Sequence, residues 1–220
     1  MRLKLDLHVH TRLSLDSVIT LDEAVEEAKA KGLHGLALTE HGRPSKVKGF
    51  VKDILIIPGL EETTPLGHIL VLGIDRWRFK PGRKPLDTVL EEAKRLGAVT
   101  VFAHPFPRTL MTSFMSWVSG LGLDAVEVLN SGDLFFPISS RVNLSLASRL
   151  GIPMTAGSDS HIPRTIGYAY TVVDAESMSV DDVLEAIRKG RTEVYGRRSG
   201  LKARVEKIVL RRRLSRASRL

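Results

Sequence analysis

Along the 220 residues, short runs of Val, Ile, Leu and Ala alternate with segments whose apolar positions recur at helical spacing. The apolar runs predict strands at Arg2 to Leu7, Leu36 to Thr39, Ile54 to Leu60, His68 to Ile74, Ala98 to Ala103, Ala125 to Leu129, Pro153 to Ala156 and Tyr168 to Val173. Between them lie helical patterns. "TLDEAVEEAKAKG" starts on Thr20 with Glu23 three residues later, the spacing of a reciprocal cap, and stops at Gly32. "PLDTVLEEAKRLG" opens on proline and ends at Gly97 with the same grammar. A third helix is expected from Ser139 to Leu150, a fourth in "SVDDVLEAIRKG", and a terminal one in "SGLKARVEKIVLRRRLSRASRL" with Leu201, Val205, Ile208 and Val209 on one face. Strand-helix repetition of this kind predicts a mainly parallel α/β sheet, open or closed into a barrel.

Onto this pattern the histidines and carboxylates fall unevenly, for they follow the apolar runs. In order they are His8 and His10 in "DLHVHTRLSLDS", Glu40 and His41 in "LALTEHG", Glu61 in "PGLEETT", His104 in "VFAHPF", Glu127 in "AVEVLN", and Asp159 and His161 in "GSDSH". His68 is the exception, because it begins a run. Residues i and i+2 of a strand share a face, so His8 and His10 converge. Strand ends in a parallel barrel share one mouth, where such folds place their chemistry. Six of the seven histidines therefore converge, and only His34 stands apart. Each residue alone has a bland explanation as a turn or solvated loop group, but together they predict a metal centre.

Composition narrows that centre. The chain has no cysteine, so any metal is held by nitrogen and oxygen, which excludes iron–sulfur clusters and thiolate zinc sites. So many imidazoles, with Asp16, Glu61 and Asp159, exceed what one ion of coordination number four to six can take, and two or three divalent cations are expected. Mn, Zn and Fe all suit such ligands. A centre of this charge attracts phosphate and acidifies bound water.

The formal charge of +8 is concentrated at one end. From Arg188 to Leu220 there are 13 Lys/Arg against 2 Asp/Glu, a balance of +11, which leaves −3 on residues 1–187. One boundary follows, near Gly190: a domain over 1–190 and a basic extension over 191–220. Such an extension suits an anionic partner such as nucleic acid, although cations at a helix C-terminus are also favoured by the helix dipole. No stretch approaches the ~20 apolar residues of a bilayer span and no charged leader precedes an apolar run, so a cytoplasmic protein without a membrane partner is expected.

The motifs "DLHVHTRLSLDS", "LALTEHG", "GLEETT" with "GHILVLG", "AHP", "VEVLN" and "GSDSH", in this order over residues 3 to 189, resemble the PHP family, the polymerase and histidinol phosphatase domains. The resemblance implies a distorted (β/α)7 barrel, a trinuclear metal site and phosphoester hydrolysis by a metal-bound hydroxide. It further implies that His8, His10, Glu61 and Asp159 hold one ion, that Glu61 bridges to a second held by His68 and His104, and that Asp16, His41 and His161 hold the third. Glu40 stands where the family usually has Asp, and a supporting role is expected for it, as for Glu127 and Asn130. The short segment "HGRPSKVKGFVKDI" leaves little room for the helix common there. Arg12, Arg43, Lys46, Arg108 and Arg164 follow ligand-bearing segments and are candidate phosphate ligands, with Arg43 and Arg164 the preferred catalytic pair. The substrate class expected is a phosphorylated small molecule, a nucleotide or an oligonucleotide end. The rival reading is a non-catalytic, RNA-binding subunit of PHP type that uses the basic tail.

Overall fold

A computed structural model describes residues 1–107 and 120–217. Ten strands form one sheet: β1 (Arg2–Val9), β2 (Gly35–His41), β3 (Gly49–Val51), β4 (Ile54–Thr64), β5 (Gly67–Leu72), β6 (Val99–Ala103), β7 (Ala125–Asn130), β8 (Met154–Gly157), β9 (Ala169–Asp174) and β10 (Thr192–Gly196). Their order is β10-β9-β1-β2-β4-β5-β6-β7-β8, with β3 paired to β4 beside this path. Five helices are described: α1 (Leu21–Ala30), α2 (Leu86–Arg95), α3 (Phe136–Leu150), α4 (Val180–Arg188) and α5 (Leu201–Ala217). The sheet curls into a nearly closed barrel, the form the family resemblance implies and one of the two the alternation left open, but its ladders are mixed rather than mainly parallel.

Local signals set the helices. Thr20 Oγ1 accepts from the Glu23 amide while the Thr20 amide donates to Glu23 Oε2, at 3.2 and 2.8 Å, which is the reciprocal cap its spacing predicts. Ser179 caps α4 by accepting from the Asp182 amide, without the return bond. Gly151, at φ 63°, ends α3 in the left-handed conformation that a side chain disfavours.

The distortion of the barrel lies in β5 and β9, which run antiparallel to their neighbours. An antiparallel β5 begins at the mouth where β4 and β6 end, and this accounts for His68 starting its apolar run. Two strands were not legible in the hydrophobic pattern. Instead of a helix, the segment after His41 forms β3, which turns back into β4 through Lys52 and Asp53 at positive φ. The second is β10, just past the boundary expected near Gly190, which pairs with β9 along Thr192 to Gly196.

Each inward strand face has two layers. Leu3, Leu5 and Leu7, Leu55 and Ile57, Leu70 and Leu72, and Val99 and Val101 fill the lower half, where α4 plugs the barrel with Val180, Val183, Leu184 and Ile187. Each such fully buried aliphatic contributes about 1.5–3 kcal/mol. The outer face of β1, β2 and β4 packs on α1 through Val9, Leu36 and Ile56 against Val25 and Ala28, and β5 to β8 pack on α2 and α3.

The gap between β8 and the β1–β9 pair is stapled by side chains. Thr171 Oγ1 bonds both the amide and the carbonyl of Ala156, at 2.8 and 3.0 Å, and Thr192 Oγ1 donates to the Met154 carbonyl. Asp6 accepts from the amides of Ser158 (2.9 Å), Gly167 (2.7 Å) and His8 (3.3 Å). It is fully buried, and burial pushes its pKa up to about 6 against these donors. Asp6→Ala strands buried amides on both sides of the seam, and we expect a loss of at least about 2 kcal/mol in urea unfolding. A loss within 0.5 kcal/mol, roughly what a surface change gives, would show that the seam closes without Asp6.

Candidate metal centre

The apolar lower layer gives way at the mouth to polar groups on the same inward face. On β1 the change needs a shift of phase, since Leu3, Leu5 and Leu7 are odd and His8 and His10 even. The register provides it: Asp6 pairs with Leu36 and Val9 with Leu38, so three residues on β1 oppose two on β2. This bulge turns both imidazoles inward and Val9 outward. On β4 and β5, Glu61 and His68 continue the inward phase of Ile57 and Leu70. His104, at φ 29°, and Asp159, at φ 53°, stand just past β6 and β8 in strained conformations of the kind that gather at functional sites.

Glu61 is the hub. Its Oε1 lies 2.6 Å from His68 Nδ1 and 3.1 Å from His104 Nε2, and its Oε2 lies 3.0 Å from His41 Nδ1, 3.5 Å from His10 Nε2 and 3.7 Å from His8 Nε2. Asp159 Oδ1 is 3.4 Å from His10 Nε2, 3.5 Å from His161 Nδ1 and 3.7 Å from His8 Nε2. Asp16 lies between His41 (3.2 Å) and His161 (3.0 Å). All nine side chains expected as ligands are thus in one cluster. Donor atoms within 4.8 Å of one another form three sets: His8, His10 and Asp159; His8, Glu61 and His104; and His10, His41 and His161. His34 stands apart and accepts from the Lys4 amide.

Neighbours fix which imidazole nitrogen faces inward. His8 Nδ1 lies 2.9 Å from Glu127 Oε1, an acceptor, so Nδ1 carries a proton and Nε2 is the nitrogen that faces the centre. The other Glu127 oxygen accepts from Asn130 Nδ2 and the His104 amide, both at 2.9 Å. Glu40 accepts from Thr11 and from Ser14 Oγ at 2.6 Å, and a hydroxyl so committed can only accept from His10 Nδ1, 3.3 Å away. His161 Nδ1 donates to the Asp159 carbonyl at 2.9 Å. Glu127 therefore bonds His8 and the His104 amide directly, whereas Glu40 reaches His10 through Ser14 and Asn130 reaches His8 through Glu127. Ser14 was missed, since nothing in the pattern sets it apart from other loop serines.

Electrostatically the cluster suits cations. Burial alone would raise the pKa of Glu61, but His8, His104, His41 and His68 around it hold it well below the usual carboxylate range, and Asp159 is likewise lowered by His8, His10 and His161. Burial opposes charge on His8, yet Glu127, Asp159 and Glu61 raise it well above an ordinary histidine. Contacts with Asp16 and Glu61 lift His41 to about 10, whereas burial and the adjacent His161 push His10 down to about 3. Asp16 Oδ1 and His161 Nε2 are buried with no partner in hydrogen-bond geometry among the described residues, although His41 Nε2 and Asp16 Oδ2 stand 3.2 and 3.0 Å from them. Buried lone pairs aimed together in this way fit divalent ions of the kind that take nitrogen and oxygen.

The cations expected around the mouth are placed differently from one another. Arg43 is exposed, Arg12 donates to the Val18 carbonyl, and Lys46 donates to the Asp75 carbonyl. Arg164, expected to meet phosphate, is instead ion-paired with Glu206 of α5 at 2.5 Å, so its charge is already matched by a carboxylate. Arg108 lies outside the described residues.

A nearly closed α/β barrel with a histidine–carboxylate cluster at its mouth defines the class. The profile of the PHP domain matches residues 6–100 and the PHP-associated profile residues 138–192, together more than half of the chain. The chain belongs to the PHP family, and with it to the metal-dependent hydrolases that act on phosphoester bonds. It is 25% identical over 223 residues to a probable phosphatase of Tolumonas auensis, covering 84% of this chain and 90% of that protein. It superposes with a TM-score of 0.68, at 25% identity, on a two-domain protein of Bacteroides vulgatus containing a predicted PHP-like metal-dependent phosphoesterase. That match covers 89% of this chain but 65% of the other. PsfC from Pseudomonas syringae shares the fold at a TM-score of 0.71 and 19% identity, covering 97% of this chain and 99% of that one. Among the described residues no helix is long and apolar enough to cross a membrane.

Proposed function

We propose that the chain is a phosphohydrolase acting on a phosphomonoester, a nucleotide or an oligonucleotide end at a site of three divalent ions. The convergence of His8, His10, Asp16, His41, Glu61, His68, His104, Asp159 and His161 around Glu61 carries this reading. When bound, such ions supply positive charge for the phosphoryl oxygens and a water acid enough to attack near neutral pH. The protein's part is to aim His8 Nε2 through Glu127, which also holds the His104 amide, and His10 Nε2 through Ser14 and Glu40. Arg43 and Arg12, at the rim, would meet the phosphate oxygens. An RNA-binding subunit without catalysis would leave nine converging donors with no task, and the start of the basic tail is docked on the barrel rather than free.

Calorimetric titration of chelator-treated protein with Mn²⁺ or Zn²⁺ tests the proposal. Imidazoles must be neutral to bind metal. His41 keeps its proton to about pH 10 and His8 well above its ordinary range, so loading at pH 7 should release protons and affinity should rise from pH 6 to 8. Loaded protein should hold two to three ions per chain by elemental mass spectrometry and hydrolyse p-nitrophenyl phosphate. Less than about half an ion per chain, with no uptake on titration, would sink the reading, because sites of this donor type bind tightly when formed.

A further inference from the structure

The start of the basic tail forms one wall of the candidate metal centre. Helix α5 is tied to the barrel by the Glu206–Arg164 ion pair, by Arg204 Nη2 donating to the Gly132 carbonyl at 2.8 Å, and by the Ser199 amide donating to the Ser131 carbonyl at 2.9 Å. Ala203 of α5 is itself buried. These tethers do not involve Lys207. Its ammonium stands 3.9 Å from Asp16 Oδ2, beside a small cavity of about 90 Å³ that Asp159, His161, Thr165 and Arg204 also line.

We infer that Lys207 is a phosphate-binding residue of the active site and that α5 is the element that presents it. The inference rests on the proposed function. Asp16 already lies between His41 and His161, and ions held beside it would leave an ammonium at 3.9 Å facing like charge. An anion between them removes that conflict, and a phosphate dianion has the charge to do so. The separate tethers hold the backbone of α5 whether or not Lys207 has a ligand, so its head group is free to leave Asp16 for a phosphoryl oxygen.

The test compares full-length wild type, Lys207→Ala and Lys207→Arg, each metal-loaded, in KM for p-nitrophenyl phosphate and in Ki for inorganic phosphate. We expect Lys207→Ala to raise both by about tenfold with metal content unchanged, and Lys207→Arg to restore both to within about threefold, since a guanidinium also binds phosphate. Unchanged KM and Ki in Lys207→Ala would overturn the inference while leaving the hydrolase reading intact. A parallel fall in metal content and activity would also overturn it, because Lys207 would then act by steadying Asp16. Wild type without metal or turnover would overturn the parent reading and this one with it. Glu206→Gln, which loosens a tether without touching Lys207, should shift Ki in the same direction by a smaller factor.

Discussion

Glu61→Gln should lower phosphoester turnover by more than about a hundredfold, because the change reaches several ligands at once and even the partners of metal ligands cost 10–100-fold when removed. The side chain keeps its size, so packing at β4 is preserved. What is lost is the charge. Glu61 sits within 3.7 Å of five imidazoles, and its pKa is held far down by them, so it is the anion on which the cluster is built. A glutamine would also offer an NH2 group to imidazole nitrogens that should be pointing lone pairs inward. Metal content should fall by at least one ion per chain on elemental mass spectrometry, with the far-ultraviolet circular dichroism unchanged. Full metal content and activity within about threefold of wild type would remove Glu61 from the centre, since no bridging ligand is so dispensable.

The clustering was legible because strand periodicity and strand-end placement both act within a few residues. Alternation put His8 and His10 on one face, and position after an apolar run put Glu61, His104 and Asp159 at one mouth. The parts that were not legible depend on chain segments far apart in sequence. The bulge in β1 is visible only in its register with β2, and it alone explains why even-numbered histidines continue an inward face begun by odd-numbered leucines. The antiparallel course of β5, which brings His68 to the mouth, depends on its pairing with β4 and β6.

The tail shows the same limit from another side. Its charge suggested an extension for an anionic partner, yet Arg204, Glu206 and Lys207 face the barrel, and Leu201, Val205, Ile208 and Val209 are exposed. Amphipathic spacing located the helix but could not tell which face would dock. Burial of Ala203 and the pairing with Arg164 decided that, and neither leaves a local trace in the sequence. Arg164 is engaged as a tether for α5, and its candidacy as a phosphate ligand came from its position after "GSDSH" and the fit of a guanidinium to phosphate.

Gly157→Ala should damage the centre as severely as loss of a supporting residue, although glycine donates nothing to it. Gly157 ends β8 against His8: an added Cβ would collide with the His8 Cβ and lie 2.8 Å from Glu127 Oε1 and 2.9 Å from the His8 nitrogen. Glu127 Oε1 fixes the His8 tautomer, while the His8 Cβ and backbone nitrogen carry its ring, and that backbone cannot swing away as a flexible side chain would. We expect turnover to fall by about 10–100-fold and stability by about 1–3 kcal/mol, as for overpacking elsewhere. Gly97→Ala is the control. Its φ of 69° makes alanine strained there, at a cost of about 1 kcal/mol, but an added Cβ meets nothing within 4 Å and the site is untouched. If both variants lose stability and only Gly157→Ala loses turnover and metal, close packing of β8 on β1 is part of what aims His8. Equal turnover in the two would mean that Glu127 holds the imidazole without help from β8, and the glycine would then serve the barrel seam alone.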